Sequence, residues 1–366
     1  MPHAFTSDGN VDWDREAELA VLDLLGEKHA VPWPEAISRI SNSQWKDFGK
    51  AQPLQLDEAR IRLMNRPADH PERVEREETD HSRPAVTFRL SHPTISQTEF
   101  ETERGRRRGM YRSFLSWTGD SVSCGHHAER VLITSMRRAA GDGILTIPQQ
   151  RRGQVSRVRG NRIERGPLDA LGFLPNLPHA SSSVPFLVEV KNVSDWIYAW
   201  DQRLWELLVK AAEIGQHEPV LPLLPCPYSD ITAAREASDI GFLRIQYQEQ
   251  LFTDDPEKIP SDRFSEVVAE FGLVASQWPE DQPHPTMVEF FANVPRRRVR
   301  GRQGRWTEWY KLLSERFFRL SPLILDFDAL AGPLEPATRS HVHRAFFEAA
   351  RGVADWNFQG GWARSA

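Results

Sequence analysis

The sequence predicts an α/β fold in which a mixed central sheet is flanked by helices, with mainly helical additions at both ends. Three observations carry that prediction. Short apolar, β-branched runs at 144–147, 170–174, 184–191, 219–224 and 242–247 have the composition of strands. The last three alternate with stretches of helical spacing at 196–214 and 231–240, and such alternation implies parallel crossovers. The chain has 366 residues, 40% of them hydrophobic, with 12 Trp and 19 Phe, which suffices for a sizeable core shared by two or three domains.

Residues 11–26 carry a broad apolar stripe of Ala17, Leu19, Ala20, Leu22, Leu24 and Leu25, with Asp12 or Asp14 as cap and Gly26 as stop. Shorter helices are expected at 34–40 and 56–64. A polar stretch, 65–83, precedes an alternating strand at 85–90. Three helices followed by a ribbon is the order of a winged helix, with a plain helical lead-in as the alternative. Residues 91–120 have few apolar positions and predict an exposed connection. A helix follows at 127–140, with Ala128, Val131, Leu132, Ser135 and Met136 inward and Glu129 one turn in. The Arg-rich segment 151–165 predicts a hairpin turning near Asn161. Beyond 250 the spacing predicts helices at 261–271, 307–318 and 338–353. The expected domains are 1–110, 111–250 and 251–366.

Net charge is −5, so the chain as a whole is no polycation. Its Arg residues nonetheless cluster at 104–108, 151–165 and 296–305, where they would either grip a polyanion or line solvated loops. Cys124 and Cys226 make no CxxC pair and are expected as reduced thiols of a cytoplasmic protein. No apolar run approaches the ~18 residues of a membrane span, so no membrane partner is expected. The first ten residues lack a secretory pattern. His126 and His127 have no ligand pair at zinc spacing, and His341 and His343 do not share a helix face and are expected at the surface.

The chemistry centres on 184–191, V-P-F-L-V-E-V-K. Period-two alternation puts Phe186, Val188 and Val190 on one face, and Leu187, Glu189 and Lys191 on the other. A carboxylate and an ammonium on a strand that otherwise looks buried are costly unless something pairs them, and a metal ion and a phosphate would do so. Twenty residues upstream, Pro167-Leu168-Asp169 supplies a second carboxylate at the edge of another apolar run. Asp169 and Glu189 are hard oxygen donors of the kind that hold Mg²⁺ or Mn²⁺. Lys191 would orient the attacking water or offset transition-state charge. The ordinary alternatives are a surface ion pair for Glu189 and Lys191, a turn residue for Asp169, and a solvated helix residue for Glu129.

Glu129, Asp169 and Glu189-Val190-Lys191, in this order and on these elements, resemble the PD-(D/E)XK nuclease superfamily. The resemblance covers roughly residues 120–250. It implies a restriction-endonuclease-like core with a carboxylate ending the second strand, E-x-K on the third and often a Glu on the first helix. Leu168 separates the Pro from the Asp, a departure from the family dipeptide. The resemblance implies that Asp169, Glu189, the Val190 carbonyl and Glu129 serve the metal and that Lys191 is catalytic with them. Gln202 stands where some exonuclease-like branches place a Gln, but Glu206 takes the place of their Tyr. On this reading Arg151, Arg152, Arg157, Arg159, Arg162 and Arg165 would flank the cut, and Arg296, Arg297 and Arg298 would belong to an arm around the duplex. The expected function is a Mg²⁺-dependent DNA endonuclease of bacterial antiviral defence or DNA processing, with a homodimer or a partner protein as its expected assemblies. The alternatives are a catalytically silent nucleic-acid-binding or scaffold protein on the same fold, and a winged-helix DNA-binding regulator. The motifs leave DNA against RNA and endo- against exonucleolytic action open.

Overall fold

The computed structural model describes residues 11–42, 53–78, 86–93, 95–119, 121–140, 147, 155–174, 183–193, 196–229, 236, 239–293 and 306–353. These form a mixed α/β protein of two compact units. The first unit takes Met1–His127, Asn192–Trp196 and Gln248–Pro279, and the second takes Ala128–Lys191, Ile197–Tyr247 and Glu280–Ala366. The units cut across the boundaries expected near 110 and 250. Among the described residues no helix is long and apolar enough to cross a membrane.

The first unit opens with α1 (Trp13–Lys28), α2 (Trp33–Asn42) and α3 (Pro53–Met64), followed by β1 (Val74–Glu77) and β2 (Thr87–Leu90). Asp12 caps α1, its Oδ1 accepting from the Arg15 N–H at 3.0 Å. Ala17, Val21, Leu24 and Leu25 of α1 pack with Leu56, Ala59 and Leu63 of α3 around Val74 and Phe88. The ribbon is antiparallel, Val74 opposite Leu90 and Glu77 opposite Thr87. Val31, between α1 and α2, exchanges both backbone hydrogen bonds with Phe88 at 2.9 Å, adding a one-residue third strand.

The segment expected as an exposed connection is instead α4, a 23-residue helix (Gln97–Gly119). Its buried face runs through Phe100, Arg107, Tyr111 and Phe114. That is helical spacing, hidden in the sequence because an Arg occupies one inward position. Arg107 is fully buried, its guanidinium donating to Glu35, to Glu270 and, at 2.8 Å, to the Ala30 carbonyl. Its neighbours are also engaged: Arg104 with Glu101 and Glu77, Arg106 with Glu103 and Glu270, and Arg108 with the Glu78 carbonyl. The 104–108 run is therefore a structural ion network of this unit. Later in the chain come β9 (Gln250–Thr253), α7 (Ser261–Phe271, as expected) and β10 (Ala275–Trp278), with β9 and β10 parallel. That strand pair was not expected, since β10 reads A-S-Q-W and lacks an apolar alternation.

Helix α5 (Ser121–Ala140) leads into the second unit, and all five residues expected on its inner face are buried. A tight ribbon follows, β3 (Arg157–Val158) and β4 (Asn161–Arg162), turning at Arg159-Gly160 with Gly160 at φ 93°. The sheet has the order β5-β6-β7-β8: β5 (Ala170–Leu174) antiparallel to β6 (Val184–Val188), then β7 (Leu221–Cys226) and β8 (Leu243–Gln246), both parallel. All residues of β6 and β7 are buried, the pattern of strands covered on both faces. Helix α6 (Gln202–Gly215) makes the first crossover. It is capped by Asp201 and buries Leu204, Leu207, Leu208 and Ala211. Helices α8 (Pro285–Asn293), α9 (Trp306–Ala331) and α10 (Pro336–Val353) complete the unit. Helix α9 runs past the expected end at 318 and through Pro322. Of the expected elements, the strand at 144–147 (but for Ile147), most of the helix at 231–240 and the Arg-rich loop at 296–305 lie outside the described residues.

Candidate active site

The site begins where β6 ends. Glu189 and Lys191 lie past the last residue of the strand, yet the backbone ladder continues through them. The Glu189 N–H donates to the Leu223 carbonyl at 3.2 Å, and the Lys191 N–H to that of Pro225 at 2.9 Å. The extended backbone sends both side chains to one face. On the other edge, β5 pairs Ala170 with Val188, and the Asp169 N–H donates to the Val188 carbonyl at 3.1 Å. One step further in that register sets Asp169 opposite Glu189. Like charges directly opposite across antiparallel strands destabilise a sheet. A nearby cation, or a proton on one of the two carboxyls, relieves that repulsion.

Two ammonium groups partly answer that need. Lys191 Nζ donates to Glu189 Oε1 at 2.6 Å and to Glu206 Oε2 at 3.2 Å. Lys210 Nζ donates to Glu189 Oε2 at 2.7 Å and to the Pro167 carbonyl at 3.1 Å. The side chain of Glu189 is only 6% exposed, so both its oxygens are committed inside the protein. Asp169 makes a different bond, its Oδ2 accepting from the Val190 N–H at 2.7 Å. Burial first, then the charges of Glu129 and Glu189, push the Asp169 carboxyl up to about 7, against the pull of the Val190 N–H and Lys191. For Lys191, burial pulls the ammonium down, but Glu189 and Glu206 outweigh it and the net shift is upward.

Four carboxylates (Glu129, Asp169, Glu189, Glu206) thus gather with two ammoniums, a formal excess of two negative charges. The donor chemistry of Asp169 and Glu189 fits one Mg²⁺ or Mn²⁺. Among the described residues no group of three or more His, Cys, Asp or Glu side chains is arranged as a ready metal cage. Glu129, half-buried on α5, bears on Asp169 through its charge. Val190 contributes its N–H to Asp169 and buries its side chain.

The raised Asp169 carboxyl makes a stability prediction. In the unfolded chain this group ionises near 3.8, in the folded protein near 7. The stabilising contribution of the protonated group is complete below about pH 4 and is lost as pH rises through about 7. Asp169→Asn, which keeps an oxygen for the Val190 N–H, is expected to raise the thermal midpoint of the metal-free protein by several degrees at pH 8. The gain should vanish towards pH 4, and melting curves across that range check it.

No family model, curated protein or solved structure matches the chain. The reading of the site therefore rests on its own geometry.

The other expected residues are distributed as follows. Gln202 is exposed at the start of α6, and among the described residues its amide makes no hydrogen bond to the group. Lys210 was not foreseen. Gln202, Glu206 and Lys210 are spaced by four, one stripe of a helix, and that spacing after E-x-K is the signal that could have found it. Arg151, Arg152, Arg296, Arg297 and Arg298 lie outside the described residues. Arg157 is exposed on β3. Arg159 pairs with Glu218 and the Ser183 carbonyl, Arg162 with Glu164, and Arg165 with Asp328. Three of the hairpin Arg residues thus engage carboxylates of their own chain. His343, expected at the surface, is 1% exposed and stacks on the buried Trp205 with centroids 4.3 Å apart, while His341 is exposed. Cys124 and Cys226 are free and buried, and burial pushes both thiols up to about 12.

Proposed function

We propose that the chain is a metal-dependent nuclease that hydrolyses phosphodiester bonds, on a core of the restriction-endonuclease-like kind. One observation carries this reading: Asp169 stands across the strand pair from Glu189, with Lys191 on the Glu189 face. A mixed sheet with an antiparallel first pair and a helical crossover before the next parallel strand supports it, because that is the order the family resemblance calls for. Asp169 and Glu189 would hold Mg²⁺ or Mn²⁺, joined by the Val190 carbonyl and Glu129 as the resemblance implies. Bound there, the ion would supply activation of water and neutralisation of charge on the phosphoryl oxygens. Lys191, held close by Glu189 and Glu206, places a positive charge where the transition state gains negative charge. Glu189 keeps that ammonium protonated and aimed.

DNA is the proposed substrate, and bacterial defence or DNA processing in the cytoplasm the proposed setting, both on the family's usual roles. A homodimer would place two such sites on a duplex. The test is supercoiled plasmid incubated with the purified chain and Mg²⁺ or Mn²⁺. Nicking that needs the ion and disappears in Glu189→Ala supports the reading. Equal nicking by wild type and Glu189→Ala overturns it.

A winged-helix regulator is the second reading, and the bond pair between Val31 and Phe88 favours it, since it completes a three-helix, three-strand module. Charge on the third helix speaks against duplex binding. Arg60 lies over the Trp33 ring at 4.5 Å and pairs with Asp57, and Arg62 pairs with Glu18. Ile61, 52% exposed, marks the outer face of α3. Ile61→Glu should leave duplex affinity unchanged in a binding titration; a large loss would move the function to this module.

A further inference from the structure

We propose that Lys210 is a displaceable counter-ion: it competes with the divalent cation for Glu189, and a substrate phosphate draws it off. This rests on the metal-centre reading above. Glu189 has two oxygens and both are taken, Oε1 by Lys191 and Oε2 by Lys210. Its side chain is almost wholly enclosed, so an ion approaching Oε2 meets the Lys210 ammonium, and the two compete for that oxygen. The two lysines are not equivalent. Lys191 is on the same strand, two residues away, and is shared with Glu206. Lys210 reaches in from α6, and its other contact is a neutral carbonyl, that of Pro167, two residues before Asp169.

A lysine ends in a compact charge on a flexible four-carbon stem, so it can leave without moving the helix. A phosphodiester is a ready alternative acceptor for it. Once Lys210 turns to phosphate, Glu189 Oε2 is released to the cation, and the cation in turn offsets the charge that Lys210 no longer covers. Metal and phosphate then bind with positive coupling, and linkage makes the effect reciprocal: each tightens the other by the same factor. Without polyanion, the site would hold its metal weakly.

The test is calorimetric titration of the intact chain with Mn²⁺. Lys210→Met is expected to bind Mn²⁺ about tenfold tighter than wild type, within the usual range of coupling between sites. Wild type should bind Mn²⁺ more tightly in sodium sulfate than in sodium chloride at matched ionic strength, because sulfate stands in for the phosphate; Lys210→Met should not respond. The sulfate comparison needs no substitution, and Lys210→Gln serves should the Met variant misfold. Unchanged or weaker Mn²⁺ binding by Lys210→Met overturns the role of Lys210, provided Glu189→Gln still abolishes binding. Absence of any Mn²⁺ binding that Glu189→Gln removes overturns the metal-centre reading, and this inference with it.

Discussion

Replacing Lys191 by Ala is expected to lower the rate of Mg²⁺-dependent plasmid nicking by about 10²–10³-fold, the usual loss when a positioned charge or proton-handling group leaves an active site. The fold should survive. The Lys191 backbone N–H still reaches the Pro225 carbonyl, and Glu189 keeps Lys210 as its partner. The loss should therefore appear in turnover with an unchanged thermal midpoint. Lys191→Arg is not a conservative rescue, because a planar guanidinium cannot occupy the place of a compact ammonium lodged between Glu189 and Glu206. Glu189→Gln should be at least as damaging, since it removes the proposed metal donor as well as the charge that holds both lysines. Time courses on supercoiled plasmid, with thermal melts of each variant, check both.

A second large effect is expected far from this chemistry in sequence, in the first unit. Arg107 is fully buried, with Glu35 and Glu270 as its carboxylate partners and Phe271 under its guanidinium, the carbon 4.9 Å from the ring centroid. Glu35 is itself fully buried and is held a second time by Arg39, at 2.8 Å. Burial raises the Glu35 carboxyl above its ordinary range in spite of Arg107 and Arg39. Removing Arg107 leaves that carboxylate deep and half-paired, so Arg107→Ala should cost about 3–5 kcal/mol of stability, the usual result of breaking a buried pair from one side. Combining Arg107→Met with Glu35→Gln should cost much less than the two single changes together, because both charges leave at once. Urea unfolding of wild type, Arg107→Ala, Arg107→Met, Glu35→Gln and the double variant, followed by a probe in the first unit, measures both effects.

These two clusters explain what could be read in the chain and what could not. The strand at 184–191 was legible because V-P-F-L-V-E-V-K breaks a strong apolar rule with two charges at period two, a contrast that needs no partner to be seen. Asp169 was legible from its place at the edge of an apolar run. Helix α7 was legible because Phe264, Val267 and Phe271 make an unbroken apolar stripe, and α1 because Ala17, Leu24 and Leu25 still mark its inner face beside the buried Glu16 and Glu18. Helix α4 was not, since its inward position 107 holds an Arg whose partners, Glu35 and Glu270, lie 72 and 163 residues away. An ionic core looks like a solvated face until its partners are known. For the same reason the Arg residues of the hairpin looked available to phosphate, although Arg159 and Arg165 are engaged by Glu218 and Asp328. His343 was misjudged because its partner is the ring of Trp205, 138 positions earlier in the chain. Lys210 escaped because its role depends on α6 folding back along the E-x-K strand.

The most direct test of the proposed metal centre is a crystal soaked in Mn²⁺ and sulfate and measured at a wavelength where manganese scatters anomalously. A single strong peak is expected in contact with one oxygen of Asp169 and one of Glu189, with Lys210 Nζ displaced from Glu189 Oε2. A crystal soaked at saturating Mn²⁺ and sulfate with no peak there, and Lys191 and Lys210 still closing both oxygens of Glu189, would contradict the account.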